Sequence, residues 1–118
     1  MPIHHNLDFI ELTGYGVDEE SIRFLKDLDA EIEGRHVVLV DAVVDTGMTM
    51  HYLVRSMALR GPASLHIAML FDRPYRRLVE DLPVRYVGFT IPDEFFVGYG
   101  FELDESYRNL PDLRLVSR

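Results

Sequence analysis

The run Val40-Asp41-Ala42-Val43-Val44-Asp45-Thr46-Gly47-Met48-Thr49 concentrates the residue types that a phosphorylated ligand requires. Thr46-Gly47-Met48-Thr49 can present free backbone N–H groups and two hydroxyls at the start of a helix, where the dipole also favours an anion. Gly47 lets the backbone approach a phosphate closely. Asp41 and Asp45 can face a sugar's hydroxyls, a metal ion or a proton in transfer, and Asp45 is the better candidate for the proton. A plainer reading has Asp45 or Thr46 capping the helix while Gly47 eases the turn. By themselves these residues leave both readings open.

The elements that must hold this stretch are visible as periodicity. Val37-Val38-Leu39-Val40, Leu65 to Phe71 and Val84 to Phe89 are short apolar runs that read as buried strands. Between the first two, Met50, Leu53, Val54, Met57 and Ala58 fall on one helical face, which predicts a helix over Met48 to Arg60 stopped by Gly61-Pro62. Strand, helix and strand in that order make a βαβ unit with parallel strands and a right-handed crossover. The fold class expected is therefore α/β, with the phosphate turn at the carboxyl end of a strand, where such sheets bind ligands. Asp8 to Leu12 reads as a further strand and Thr13 to Glu20 as a loop. Ser21 to Glu33 suits either a helix or a hairpin strand, and the strand is favoured. Leu113-Arg114-Leu115-Val116 can form a final edge strand.

With 118 residues, 47% hydrophobic, the chain has the size of a single domain spanning 1–118. Twelve basic against twenty acidic residues leave a charge of −8, which argues against a general nucleic-acid binder. The absence of cysteine excludes a disulfide scaffold, a thiol nucleophile and cysteine-ligated metals. No apolar run reaches the roughly 18 residues of a membrane span. The first eight residues lack the basic and apolar regions of a signal peptide, so a cytoplasmic protein is expected. The histidines form no ligand pattern. Arg73, Arg76 and Arg77 can make a small anion patch or a solvated face. Tyr86, Phe89, Phe95, Phe96 and Tyr99 read as core by type.

The string from Val37 to Met50 resembles the phosphoribosyl pyrophosphate (PRPP) motif of the type I phosphoribosyltransferases. Phe71-Asp72-Arg73-Pro74-Tyr75-Arg76-Arg77, the stretch from Tyr86 to Gly100, and Tyr107-Arg108-Asn109-Leu110-Pro111 are similar, in order, to hypoxanthine-guanine phosphoribosyltransferases. That resemblance implies transfer of 5-phosphoribosyl from PRPP to N9 of hypoxanthine or guanine, with magnesium, in purine salvage. It implies a flexible lid at about 13–20 carrying Tyr15, a PRPP loop at 40–49 and a purine-side segment at 71–110. Thr46, Gly47, Met48 and Thr49 then match the 5′-phosphate loop, Asp41 an acid near the ribose hydroxyls and magnesium, and Asp45 the catalytic acid that exchanges a proton with purine N7. Arg73 stands where the family has a lysine at the purine 6-oxo group. Tyr86 matches the residue stacked on the base and Val87 the one whose backbone reads its edge. Asp93 matches an acid near a second metal and Arg108 an arginine that approaches pyrophosphate.

The residue types suit that chemistry. Departure of pyrophosphate builds positive character on the ribose and negative charge on the leaving group, which metal ions and a cation stabilise. The sequence also departs from the family. Ala42 replaces the second of two adjacent acids, which predicts weaker metal and PRPP affinity. Arg73 for lysine changes donor shape at the base. The lid's Ser-Tyr pair is Gly14-Tyr15, and the family's first strand-loop-helix unit has no counterpart before Asp8. A sheet lacking that unit exposes apolar faces and strand edges, so a homo-oligomer is expected. A catalytically inactive paralogue acting as a regulatory or structural oligomeric partner is the alternative function.

Overall fold

A computed structural model describes residues 3–14, 22–44, 47–74, 77–79, 81–91, 95–97, 109, 111–112 and 114–116. The β-branched and apolar runs extend into three strands, which we number with the two hairpin strands that precede them as β1 (Glu11–Thr13), β2 (Arg23–Lys26), β3 (His36–Val44), β4 (Ser64–Asp72) and β5 (Val84–Thr90). β3, β4 and β5 form a parallel sheet in that spatial order. The expected α/β architecture is observed. Among the described residues a single helix, α1 (Met48–Ala58), flanks the sheet.

α1 forms because its apolar residues share one side: Met50 and Met57 are buried, and Leu53 and Val54 pack on a cluster of Val44, Met50, Ile67 and Met69. It stops two residues before the expected Arg60. Arg60 and Gly61 turn their N–H groups back to the carbonyls of Met57 and Ala58, and Gly61 adopts a φ of +71°. The N–H of Gly34 then donates to the Gly61 carbonyl at 2.9 Å, tying the end of the helix segment to the turn before β3.

Of the described residues in Ser21 to Glu33, where a strand is favoured from the sequence, only Arg23–Lys26 forms one, and residues 27–33 run on as turns and bends. β1 and β2 pair antiparallel, and Leu12 and Ile22 are buried there. The Phe24 ring lies 5.7 Å from Tyr52 of α1, with the Arg60 guanidinium 5.8 Å from the same ring. Arg60 also grips both carboxylate oxygens of Asp27, at 2.8 and 2.7 Å. This bidentate pair docks the hairpin on the helix. β1 begins three residues later than expected. The Asp8 carboxylate accepts the N–H groups of Phe9, Asp29 and Ala30, so local side-chain bonding takes the place of a ladder there. Two further strands, β6 (Phe95–Val97) and β7 (Arg114–Val116), pair antiparallel, which realises the expected C-terminal edge strand.

One face of the sheet has no cover among the described residues. Leu39 packs toward the core, but Val38 and Val40 point the other way, and Val40 is 81% exposed. In register with them, and so on the same face, are His66 and Ala68 of β4 and Tyr86 of β5. Phe89, expected in the core, is 62% exposed and rests one ring face on Phe71 at 6.0 Å. The sequence pattern marks it as apolar, whereas its burial depends on what lies beyond the β5 edge.

Candidate functional site

The carboxyl ends of β3, β4 and β5 lie side by side and are cross-braced. Val44, Asp72 and Thr90 occupy one rung. Beyond it, the Arg73 N–H donates to the Val44 carbonyl at 3.2 Å and the Ile91 N–H donates to the Asp72 carbonyl at 2.9 Å. Two of the proposed ligand-facing positions share a rung further back. Asp41 pairs with Met69, which pairs with Val87. Two strand spacings separate Asp41 from Val87, about 9.5 Å. One nucleotide-sized ligand can touch both. Tyr86 is 54% exposed on the next rung, opposite Ala68, so its ring has an open face for a planar base.

Between β3 and α1 the chain turns through Gly47, whose φ of +90° is left-handed. Having no Cβ, Gly47 meets that geometry at little steric cost. A Cβ there would lie 2.9 Å from Cδ of Arg77 and 3.1 Å from Leu82. The His51 N–H donates to the Gly47 carbonyl at 2.8 Å, starting the helix. As the N-cap, Gly47 offers no side-chain oxygen to the first turn, and that turn carries no acidic residue. An anion is therefore not opposed by charge within the first turn. Met48 and Thr49 form the first helical residues, both half-buried.

Asp41 lies within β3, and its Oδ1 accepts the Ala42 N–H at 2.7 Å. Although Asp41 retains exposed surface, partial desolvation by the surrounding chain pushes its carboxyl above the usual carboxylate value, against the opposing pull of the Ala42 and Val43 N–H groups. Among the described residues no basic side chain pairs with it. Nor do the described residues contain a cluster of three or more histidine, cysteine or acidic side chains able to hold a metal.

The structure thus sets Gly47, Met48, Thr49 and Arg73 at the carboxyl ends of β3 and β4, Asp41 and Val87 on one rung further back, and Tyr86 one rung before them on the opposite face. Asp45, Thr46, Asp93, Arg108 and the lid residue Tyr15 lie outside the described residues. It also adds a residue that the sequence left ambiguous. Arg77 is no solvated-face arginine: its side chain is mostly buried, and its guanidinium pairs with Asp72 at the end of β4. Three nearby arginines, readable as an anion patch or a solvated face, are all the sequence showed of it.

A parallel sheet that feeds its first strand through a left-handed glycine into a helix, with an acid set back on that strand, is the frame of an α/β domain with a ligand-accessible turn at its carboxyl edge. Residues 11–105 match the phosphoribosyl transferase domain family, and the chain belongs to it. Its relatives are hypoxanthine and hypoxanthine-guanine phosphoribosyltransferases. The hypoxanthine phosphoribosyltransferase of Salmonella typhimurium is 43% identical over 112 residues, which cover 92% of this chain and 62% of that one. Among solved structures, a hypoxanthine phosphoribosyltransferase from Staphylococcus aureus superposes with a TM-score of 0.87 at 36% identity, over 98% of this chain and 64% of that one. The Trypanosoma cruzi enzyme in complex with the product IMP does so at 0.83 and 37%, over 95% and 60%. The chain spans about three fifths of the length of each of these relatives.

Proposed function

We propose that this chain binds PRPP or a purine nucleoside 5′-monophosphate at the carboxyl edge of its sheet, as part of a purine phosphoribosyltransferase of the salvage type. The observation that carries the reading is the Gly47 turn after β3, the strand whose Asp41 shares a rung with Val87. The IMP complex of the Trypanosoma cruzi relative supports a purine nucleotide as the ligand.

In this reading the turn at Thr46 to Thr49 receives the 5′-phosphate through backbone N–H groups and hydroxyls. Tyr86 stacks on the base, the Val87 backbone reads its edge, and Arg73 donates to the 6-oxo group. The bond from ribose C1 to pyrophosphate breaks as purine N9 forms its bond to C1. Asp45 accepts the proton from N7, and Arg108 faces the departing pyrophosphate. Asp41 and Asp93 would hold magnesium, which when bound supplies positive charge to offset that growing on the leaving group. No helix among the described residues is long and apolar enough to cross a membrane, and a cytoplasmic salvage enzyme is the setting proposed.

Ala42 and the uncovered sheet face favour a second reading, a non-catalytic oligomeric partner. We place a further polypeptide, a second copy of this chain in the simplest case, over Val38, Val40 and Tyr86. Formation of inosine monophosphate from PRPP and hypoxanthine with magnesium separates the two. Turnover by the purified chain that Asp45→Ala abolishes establishes the enzyme. A stable oligomer without turnover of hypoxanthine or guanine supports the partner, and absence of nucleotide binding removes the enzyme reading.

A further inference from the structure

Gly47 itself has no side chain and, as the N-cap of α1, makes no side-chain cap hydrogen bond. What lies against it comes from elsewhere: Cδ of Arg77 stands 2.9 Å, and its Nε 3.6 Å, from the place a Gly47 Cβ would occupy, with Leu82 beside them. Arg77 is itself anchored, since its Nη2 donates to Oδ1 of Asp72. Asp72 ends β4, and the backbone at 72 and 73 bonds to Ile91 after β5 and to Val44 at the end of β3. An unbroken set of contacts therefore runs from all three strand ends, through one ion pair, to the phosphate turn.

We propose that Arg77 is a positioning residue for phosphate recognition: anchored by Asp72, it lays its stem on Gly47 and fixes the direction in which the turn's N–H groups point. The inference rests on the reading that this turn binds a 5′-phosphate. A guanidinium that donates through Nη2 to a mostly buried carboxylate keeps its planar head, and so its stem, in one place better than a lysine ammonium does. Arg77 touches no substrate in this role. It acts through the turn.

The test compares affinities of the full chain for inosine monophosphate and for inosine, by calorimetry and by NMR titration for the weaker ligand. The quantity read is their ratio, which isolates the phosphate. Arg77→Met, which keeps a stem and loses the anchor, is expected to shrink that ratio about tenfold, the size of a lost charge-assisted contact. Arg77→Lys is expected to restore part of it. Amide exchange at His51, bonded to the Gly47 carbonyl, should quicken in the Met variant. A merely structural role would lower both affinities together and leave the ratio unchanged, which overturns the proposal. Should Arg77→Met not fold, Asp72→Asn keeps the arginine and weakens its anchor. A full ratio in that variant also overturns the proposal. Failure of the unaltered chain to bind inosine monophosphate removes the functional reading and this inference with it, an outcome distinct from an unchanged ratio.

Discussion

Replacing Gly47 with alanine probes the geometry on which the site depends. At φ +90° a β-carbon brings a left-handed penalty of about 1–2 kcal/mol. The same carbon falls 2.9 Å from Arg77 Cδ and 3.1 Å from Leu82. Arg77 cannot simply swing aside, because Asp72 holds its far end. Driving that side chain off its rotamer adds about 0.5–1.5 kcal/mol. Gly47→Ala should therefore cost about 2–3 kcal/mol in urea denaturation at neutral pH, with the slope of the transition unchanged. Arg77→Ala removes the overlap but not the backbone penalty. In a double-mutant cycle the pair should then be less destabilised than the sum of the single variants, by about 1 kcal/mol. A Gly47→Ala chain within about 0.5 kcal/mol of the parent, or a cycle with no coupling, would refute this account of the turn.

The remaining predictions concern the acids and the open face. Partial desolvation raises the Asp41 pKa, so its charged form opposes folding; the stability of the neutral acid is fully present at low pH and is lost as pH rises through the raised folded value. Asp41→Asn should accordingly melt higher than the parent at pH 7, should show no difference below the unfolded value of about 3.9, and should bind PRPP with magnesium more weakly. Asp27 shifts the other way, lowered chiefly by its hydrogen bonds from Arg60. Its contribution is present above about pH 3.9 and lost as pH falls through the lowered folded value. Arg60→Ala should remove that acid dependence, cost about 0.5–1 kcal/mol given the partial exposure of the pair, and quicken amide exchange in β2. Val40→Lys places a charge on the uncovered face. If a second copy sits there, sedimentation should show the variant dissociated at concentrations where the parent is associated; a parent that is monomeric throughout would refute the homo-oligomer.

Much of the sheet was legible because its strands and helix bear different periods. Val37 to Val40 and Leu65 to Phe71 are continuous apolar runs, while Met50, Leu53, Val54 and Met57 recur at helical spacing, and the observed β3, α1 and β4 follow them closely. Boundaries failed where a side chain replaced the ladder, as Asp8 does before β1. Burial failed at Phe89 because residue type does not reveal whether a layer covers a strand edge. The role of Arg77 was hidden for a similar reason. Its partner Asp72 is five residues away, but the glycine it covers is thirty residues back, across the sheet. Only tertiary placement distinguishes a brace from a solvated arginine.

Those failures share a cause that bears on function. Positions such as Asp41 and Val87 owe their spacing to the rung they share through Met69, so the sheet must stay in register for one ligand to reach both. Met69 is buried against α1's side of the sheet, yet Val38, Val40 and Tyr86 on the other side face water. Burying a large apolar side chain contributes about 1.5–3 kcal/mol. Val38 and Tyr86 are already about half covered, so covering the three adds about 3–5 kcal/mol, comparable with the low end of the roughly 5–15 kcal/mol that holds a domain together. Whatever covers that face stabilises the same sheet whose carboxyl edge holds the phosphate turn. Cover over Val38 and Val40 that leaves the Tyr86 ring free should therefore raise nucleotide affinity, because it favours the one register in which Val44, Asp72 and Thr90 align.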